Sequence, residues 1–394
     1  MLNYVNTRNG DELSRLGFGC MRLPQKGGGI DEQRAIAMIR DAIAKGVTYF
    51  DTAYVYHGGK SEVVLGKALE GEWRGKVKIA TKLPPYMVRK LEGAQKIFAT
   101  QLDRLKTDRI DYYLLHMLSD KAGLRRMADL GVMEWLEGLK AQGKIGNIGF
   151  SFHGVQKDFE ELVRAYPWDF CQLQYNYMDE KNQAGTEGLL LAASLGIPVI
   201  VMEPLRGGKL VNGLPKDVEA IFASKKRSPA EWALRWVWNQ KEVGVVLSGM
   251  SDEFQLADNL RIVDDAAVGS LSADDLTVFE QVKAILLART KVPCTACGYC
   301  MPCPSGVDIP ACFSAYNEKY LMGKGSAMRS YFMGTGTLAA RGSYASRCIE
   351  CGKCVSHCPQ SIAIPEELKK VRKELEGWYF KPLIAIARMV MGVR

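Results

Sequence analysis

Short β-rich runs alternate with helical patterns eight times between Leu16 and Ile262. The runs are Leu16–Met21, Val47–Asp51, Val77–Lys82, Ile110–His116, Ile145–Ser151, Phe170–Asn176, Pro198–Glu203 and Val243–Leu247. In Glu32–Lys45, apolar Ala35, Ile36, Met38, Ile39, Ala42 and Ile43 recur at helical spacing, and Gly46 ends the pattern. Further helices are expected over 61–69, 90–105, 131–142, 155–165, 187–195, 229–240 and 252–262, with Ser61 as the cap of the first of these. Single strands separated by helices must run parallel, because each helix carries the chain back to the same end. Eight such units argue for a closed barrel rather than an open sheet.

The chain has 394 residues, more than the roughly 250 of one such barrel. A helix over 271–288 ends the repeating pattern. We therefore expect a first domain over 1–290 and a second over 291–394. Hydrophobic content of 47% is ample for a buried core. The N-terminal residues MLNYVNTRNGDE lack an apolar signal segment, and no run is long enough to span a membrane, so a cytoplasmic location without a transmembrane segment is expected. The Gly-rich stretch 25–29 lacks both the GKS/T ending and the helix of a phosphate loop.

Three successive strands end on groups that can move protons. Asp51 closes one and is followed by Tyr56; Lys82 and His116 close the next two. A parallel barrel presents its chemistry at strand C-termini. The segments DTAYVY, ATK and YLLH resemble the signatures of the aldo-keto reductases, over roughly residues 10–290. The resemblance implies a (β/α)8 TIM barrel in the α/β class. It also implies an Asp51–Tyr56–Lys82–His116 tetrad and a nicotinamide cofactor, NADH or NADPH. Tyr56 would give the proton to a developing alkoxide, Lys82 would lower its pKa, Asp51 would hold Lys82, and His116 would orient the carbonyl oxygen.

The same resemblance assigns cofactor contacts. Ser151 and Gln172 match the residues that grip the carboxamide, although Phe152 stands where Asn is usual; His153 is the candidate to compensate. Cys20 and Met21, at the end of the first strand, join them. Leu205, Arg206 and Gly207 resemble the loop along the pyrophosphate. Ser248, Gly249, Met250, Gln255 and Asn259 resemble the adenosine-phosphate segment at a helix N-terminus. Asp252 and Glu253 stand where relatives that prefer NADPH place a basic residue. A carboxylate repels a 2′-phosphate, so NADH is expected to serve at least as well as NADPH. His57 is a further candidate for the substrate pocket.

Eight of the eleven cysteines fall in two runs in the tail: Cys294, Cys297, Cys300 and Cys303, then Cys348, Cys351, Cys354 and Cys358. Each run ends in Cys-Pro. The second has the ferredoxin spacing, three thiols two residues apart and a fourth after three; the first is one residue short before Cys303. In such runs the fourth cysteine ligates the other cluster. The expected sets are Cys294, Cys297, Cys300 and Cys358 for one 4Fe-4S cluster, and Cys348, Cys351, Cys354 and Cys303 for the other. Zinc is the competing metal, but four-Cys zinc sites use two separated pairs. Cys171 and Cys312 read as packing residues, like Cys20 on its own.

The tail also holds 14 Lys and Arg against 7 Asp and Glu, most of the net charge of +8. Two clusters of about −2 each, thiolates included, offset much of that excess, which argues against nucleic acid as the partner. A helical pattern over 309–319 makes the tail resemble the mainly helical, ferredoxin-like two-cluster modules fused to redox enzymes. The apolar stretch 378–393 is expected to dock against the barrel.

Together these features point to an iron–sulfur aldo-keto reductase. It would interconvert a small carbonyl compound and its alcohol, and exchange single electrons with a ferredoxin or flavoprotein partner. The competing reading is an electron-transfer or binding protein whose barrel has lost nicotinamide-dependent chemistry. Hydride moves two electrons and a cluster one, and no flavin motif bridges them.

Overall fold

The computed structural model describes residues 3–6, 8–154, 156–321, 323–335, 342–382 and 384–385. Contacts divide the chain into two compact units, Met1–Pro204 with Glu231–Ser272, and Leu205–Ala230 with Ala273–Arg394. The divide does not fall at residue 290, since 205–230 and 273–290 group with the C-terminal residues.

The first unit is a closed parallel barrel of eight strands in chain order. They are β1 (Leu16–Gly19), β2 (Tyr49–Asp51), β3 (Lys78–Leu83), β4 (Ile110–Leu118), β5 (Ile145–Phe152), β6 (Phe170–Gln174), β7 (Val199–Met202) and β8 (Val243–Ser248). Helices α1 (Glu32–Ala44), α2 (Lys60–Ala68) and α3 (Leu91–Leu105) follow β1, β2 and β3. After β4 come α4 (Lys121–Asp129) and α5 (Val132–Ala141), and α6 (Gln156–Val163) and α7 (Gly185–Ser194) follow β5 and β6. Asp120 caps α4 by accepting from the Gly123 amide at 2.7 Å, a start signal that the sequence carried in a short, mostly polar segment. Ser61 is not a cap. Gly59 in the left-handed region precedes α2, and the Ser61 hydroxyl donates to the Cys20 carbonyl at 2.9 Å.

One core fills the N-terminal half of the barrel. Tyr49, Ala80, Tyr112, Phe170, Ile200 and Val245 cluster there with Leu13. Leu13 lies on a hairpin, Asn3–Val5 with Glu12–Ser14, whose Asn6 and Asp11 bond to the Tyr112 hydroxyl at 3.0 and 2.8 Å. The stretch 25–29 makes a second hairpin, turned by Gly27 and Gly28 at positive φ.

The second unit contains α8 (Lys216–Ala223) and, after α9 (Pro229–Trp238) and α10 (Glu253–Asp264) of the barrel pattern, α11 (Ala273–Arg289). Asp217 on α8 pairs with both guanidinium nitrogens of Arg289 on α11, at 2.8 and 3.0 Å. Helices α12 (Ile309–Leu321), α13 (Lys324–Gly334) and α14 (Ile364–Leu375) form the rest, with no strand among the described residues. Phe313, Tyr316, Tyr331, Leu368, Val371 and Phe380 share a core. Glu374 ties α14 to α12 by accepting from Tyr316, Lys319 and Tyr320. Within the stretch 378–393, Phe380 packs into this unit's own core and Trp378 is exposed, while 386–394 lie outside the described residues. Among the described residues no helix is long and apolar enough to cross a membrane.

The closest approach in the helical layer is at Gly66 on α2. A Cβ there would lie 2.3 Å from the Arg104 carbonyl oxygen on α3. Alanine gains about 1 kcal/mol in helix propensity, but overpacking against backbone costs about 1–3 kcal/mol or more. Gly66→Ala should therefore lower the thermal midpoint of the barrel. A raised midpoint would show that α2 and α3 can separate freely.

Candidate functional site

Strand pleating decides which groups reach the barrel interior. Side chains two apart share a face. Tyr49, Ala80, Tyr112 and Phe170 lie in the interior core, so Asp51, Lys82, His116 and Gln172 point the same way, one or two steps nearer the strand C-termini. The alternate residues face the helices. Thr81 donates to Glu62 on α2 at 2.6 Å, and Tyr113 to Gln101 on α3 at 2.7 Å.

The four expected tetrad residues converge. Lys82 Nζ donates to Asp51 Oδ1 at 2.6 Å and to the Thr52 carbonyl at 2.8 Å, and lies 3.4 Å from the Tyr56 hydroxyl. The rings of Tyr56 and His116 meet edge to face, centroids 5.9 Å apart. The other carboxylate oxygen of Asp51 accepts from Gln172 Nε2 at 2.9 Å. Asp51, Lys82 and His116 are all buried.

Burial sets the protonation states. It pushes His116 well below the usual imidazole range, helped by the charge of Lys82 and by His153, so this ring is neutral near pH 7. Burial also lowers Lys82, opposed by Asp51. The Tyr56 phenol is pushed well above its ordinary value by burial first and then by Asp51 and Glu203. This differs from the expectation that Lys82 lowers it. Burial outweighs the ammonium, which makes its short bonds to Asp51 and Thr52 and lies 3.4 Å from the phenol oxygen.

Two groups matter more here than their sequence context suggested. Phe152 is no obstacle in the site, because it faces outward against Phe159 of α6, centroids 5.0 Å apart. His153 is buried instead, within electrostatic reach of Lys82 and His116, with Nδ1 3.2 Å from Gln183 Oε1. Gln183 continues to Gln174 at 2.6 Å, and Gln174 to Asp179 at 2.9 Å. Glu62, fully buried on α2, accepts from Thr81, from Gln101 at 2.9 Å and from Arg104 at 3.0 Å, and Gln101 also donates to the Lys82 carbonyl. It braces β3 from behind. A lone Glu in a helical pattern carries no sequence signal for that role.

The expected cofactor contacts are dispersed. Cys20 is buried, which keeps its thiol protonated, and Met21 offers backbone to His57, whose Nε2 is buried without a partner. The Ser151 hydroxyl accepts from the Met117 amide at 2.9 Å. Leu205 precedes a tight turn, Arg206–Gly208, with Arg206 and Gly207 at positive φ. On the segment after β8, Asn259 donates to the Ser248 hydroxyl at 2.8 Å, Gly249 packs against the Arg22 side chain, and Met250 is buried. The N-terminus of α10 is already capped. Asp252 accepts from the Gln255 amide at 2.8 Å, and Gln255 Oε1 takes the Ser251 amide at 2.9 Å. Glu253 binds Arg34 in a fork at 2.8 and 2.5 Å and is pulled down to about 2 by it.

In the second unit, Cys294, Cys297, Cys300 and Cys358 line one hollow, with Thr295, Phe313 and Ile364. Cys358 has thus joined the first run. Cys354 is influenced in turn by Cys348, Cys303 and Cys351. Among the described residues, no three His, Cys, Asp or Glu side chains come close enough to hold a single metal ion. The Thr295 hydroxyl is buried in the first hollow without a partner. A thiol-lined hollow with an unanswered donor fits a cluster bearing acceptor sulfides.

Burial holds His153 at about 4, against about 6.5 in an unfolded chain. Below pH 6.5 the unfolded chain therefore takes up a proton that the folded chain refuses, and stability falls as pH drops towards 4. Between pH 7 and 5 this group should remove about 2 kcal/mol from the parent and nothing from His153→Gln. Denaturant unfolding of both chains at the two pH values measures the difference. Equal losses would mean that His153 charges in the folded protein.

The sequence pattern of the Aldo/keto reductase family matches residues 15–282, and that of the 4Fe-4S dicluster domain matches residues 293–363. Probable aldo-keto reductase 1 of Glycine max is 29% identical over 313 residues, 69% of this chain and 86% of the relative. The NADH-specific methylglyoxal reductase of Escherichia coli (strain K12) is 26% identical over 322 residues, covering 70% of this chain and 96% of the relative. Among solved structures, the holo form of an aldo-keto reductase from Bacillus halodurans superposes with a TM-score of 0.60 at 25% identity, covering 72% of this chain and 96% of its own. The chain therefore belongs to the aldo-keto reductase family and carries a 4Fe-4S dicluster domain C-terminal to its barrel.

Proposed function

We propose that the protein is an iron–sulfur oxidoreductase that interconverts a small carbonyl compound and its alcohol with a nicotinamide cofactor. The observation that carries this is the buried Lys82 ammonium, held by Asp51 2.6 Å away and 3.4 Å from the Tyr56 hydroxyl. Tyr56 stays protonated and gives its proton to the developing alkoxide. The Lys82–Asp51 pair then steadies the phenolate left behind. Neutral His116 keeps one N–H with which to orient the carbonyl oxygen. A nicotinamide, when bound, supplies the hydride. Ser151 and Gln172 are its proposed carboxamide contacts, and Cys20, Met21, Leu205, Arg206, Gly207, Ser248, Gly249, Met250, Gln255 and Asn259 its proposed outer contacts. Asp252 and Glu253 keep negative charge at the N-terminus of α10, which disfavours a 2′-phosphate and supports NADH at least as much as NADPH. One relative, described as an NADH-specific reductase, accords with this.

In the same proposal the division is functional: 1–290 carries the carbonyl chemistry and 291–394 the electrons. Two 4Fe-4S clusters are held by crossed sets, Cys294, Cys297, Cys300 and Cys358, and Cys348, Cys351, Cys354 and Cys303. When bound, they supply one-electron transfer, and a ferredoxin or flavoprotein is the proposed partner.

Tyr56→Phe should slow carbonyl reduction by about 10²-fold or more, the usual loss when a general acid is removed. Nicotinamide binding, followed by fluorescence with NADH and NADPH, should persist, with NADH at least as tight. Near-normal turnover would remove Tyr56 from the mechanism. For the clusters, anaerobically prepared protein should approach about eight iron and eight sulfide per chain. Cys354→Ser should deplete mainly the second cluster and Cys358→Ser mainly the first. Depletion of the second cluster by both changes would establish local ligation instead.

A further inference from the structure

The two thiol sets differ in what surrounds them. Cys351 of the second set is exposed, whereas no member of the first is. The first hollow also holds the buried Thr295 hydroxyl, which has no partner although it is only 1% exposed. A buried hydroxyl left unpaired is destabilising, so its retention points to an acceptor that enters the hollow.

A second feature comes from the turn after β7. Lys209, within the same unit as the cysteines, lies within electrostatic reach of Cys294 and Arg206. Reciprocally, Cys294 is influenced by Lys209, Cys358 and Arg206. Lys209 is partly buried, and no carboxylate among the described residues pairs with it. Burying an ammonium without a counter-charge is unfavourable. The thiolates and sulfides of a cluster in the adjacent hollow would provide that charge.

We propose that the Lys209 ammonium and the Thr295 hydroxyl selectively favour the reduced state of the cluster held by Cys294, Cys297, Cys300 and Cys358. This rests on the two-cluster reading above. Reduction adds one electron from a one-electron donor and breaks no bond; the cluster with its four thiolates passes from a charge of about −2 to about −3. A nearby cation stabilises the more negative state more, and an O–H donor to sulfur acts in the same direction. Cys354 lies within electrostatic reach of Cys348, Cys303 and Cys351.

The test uses the full chain, prepared anaerobically, with iron and sulfide assayed before a dithionite redox titration. Absorbance and magnetic resonance resolve the two one-electron steps, and the first cluster's step is the one lost in Cys358→Ser. At the parent's midpoint for that step, Lys209→Met should lower the reduced-to-oxidised ratio by roughly tenfold, and Thr295→Val by several-fold. Lys209→Arg and Thr295→Ser should restore it, and the other step should stay in place. Full iron content with that step unmoved in both Lys209→Met and Thr295→Val would overturn the proposal, as would equal movement of both steps. If Lys209→Met fails to hold iron, the near-isosteric Thr295→Val chain decides alone. A parent chain without iron would refute the cluster reading itself, a distinct result.

Discussion

The polar centre of the barrel is built on one buried ion pair. Lys82 and Asp51 come from adjacent strands and are almost fully removed from water. Either charge alone would be strongly unfavourable there, and removing one partner of such a pair costs about 3–5 kcal/mol. The surroundings reduce that penalty by answering each remaining bond. The Thr52 carbonyl takes a second Lys82 proton, and Gln172 donates to the second Asp51 oxygen. Three strands are thus joined at one charge pair.

Around that pair the protein keeps its other polar groups neutral. Burial drives His116 and His153 to the uncharged imidazole and Tyr56 to the protonated phenol. An extra positive charge beside Lys82 would be repelled, and an extra negative charge beside Asp51 likewise. The result is a site centred on one ammonium and one carboxylate, with Glu203 within electrostatic reach of Tyr56 and donors that need no ionisation. That pattern suits reduction of an uncharged carbonyl, where charge develops only as the reaction proceeds.

The second unit follows a different physical rule. Its helices share a modest core, and six of the eight cysteines pack against the edge of it. Thiols and the unpartnered Thr295 hydroxyl meet there in partly dry surroundings. In the proposed reading, binding the clusters and completing the fold are therefore the same event. Hydride transfer moves electrons in pairs and the clusters move them singly, so the two chemistries need a two-electron carrier or a stepwise partner between them.

Much of this was legible in the sequence. The eight strand–helix alternations required a parallel barrel because a strand's two-residue period and a helix's 3.6-residue period leave different apolar patterns. The end of β2 at Asp51 was readable, whereas β3 and β4 run past Lys82 and His116 to Leu83 and Leu118. Cysteine spacing in the tail was also readable, since three thiols at such short intervals must share one loop. What the tertiary structure alone decided was pairing across distance. Residue order could not reveal that Phe152 turns outward while His153 turns in, because that depends on the stagger of β5 against α6. Nor could it reveal that Asp252 serves as a helix cap, that Ser61 does not, or that Lys209, more than eighty positions before Cys294 in the chain, comes within its electrostatic reach. Local patterns follow from local sterics; a charge's neighbours are set only when distant segments pack.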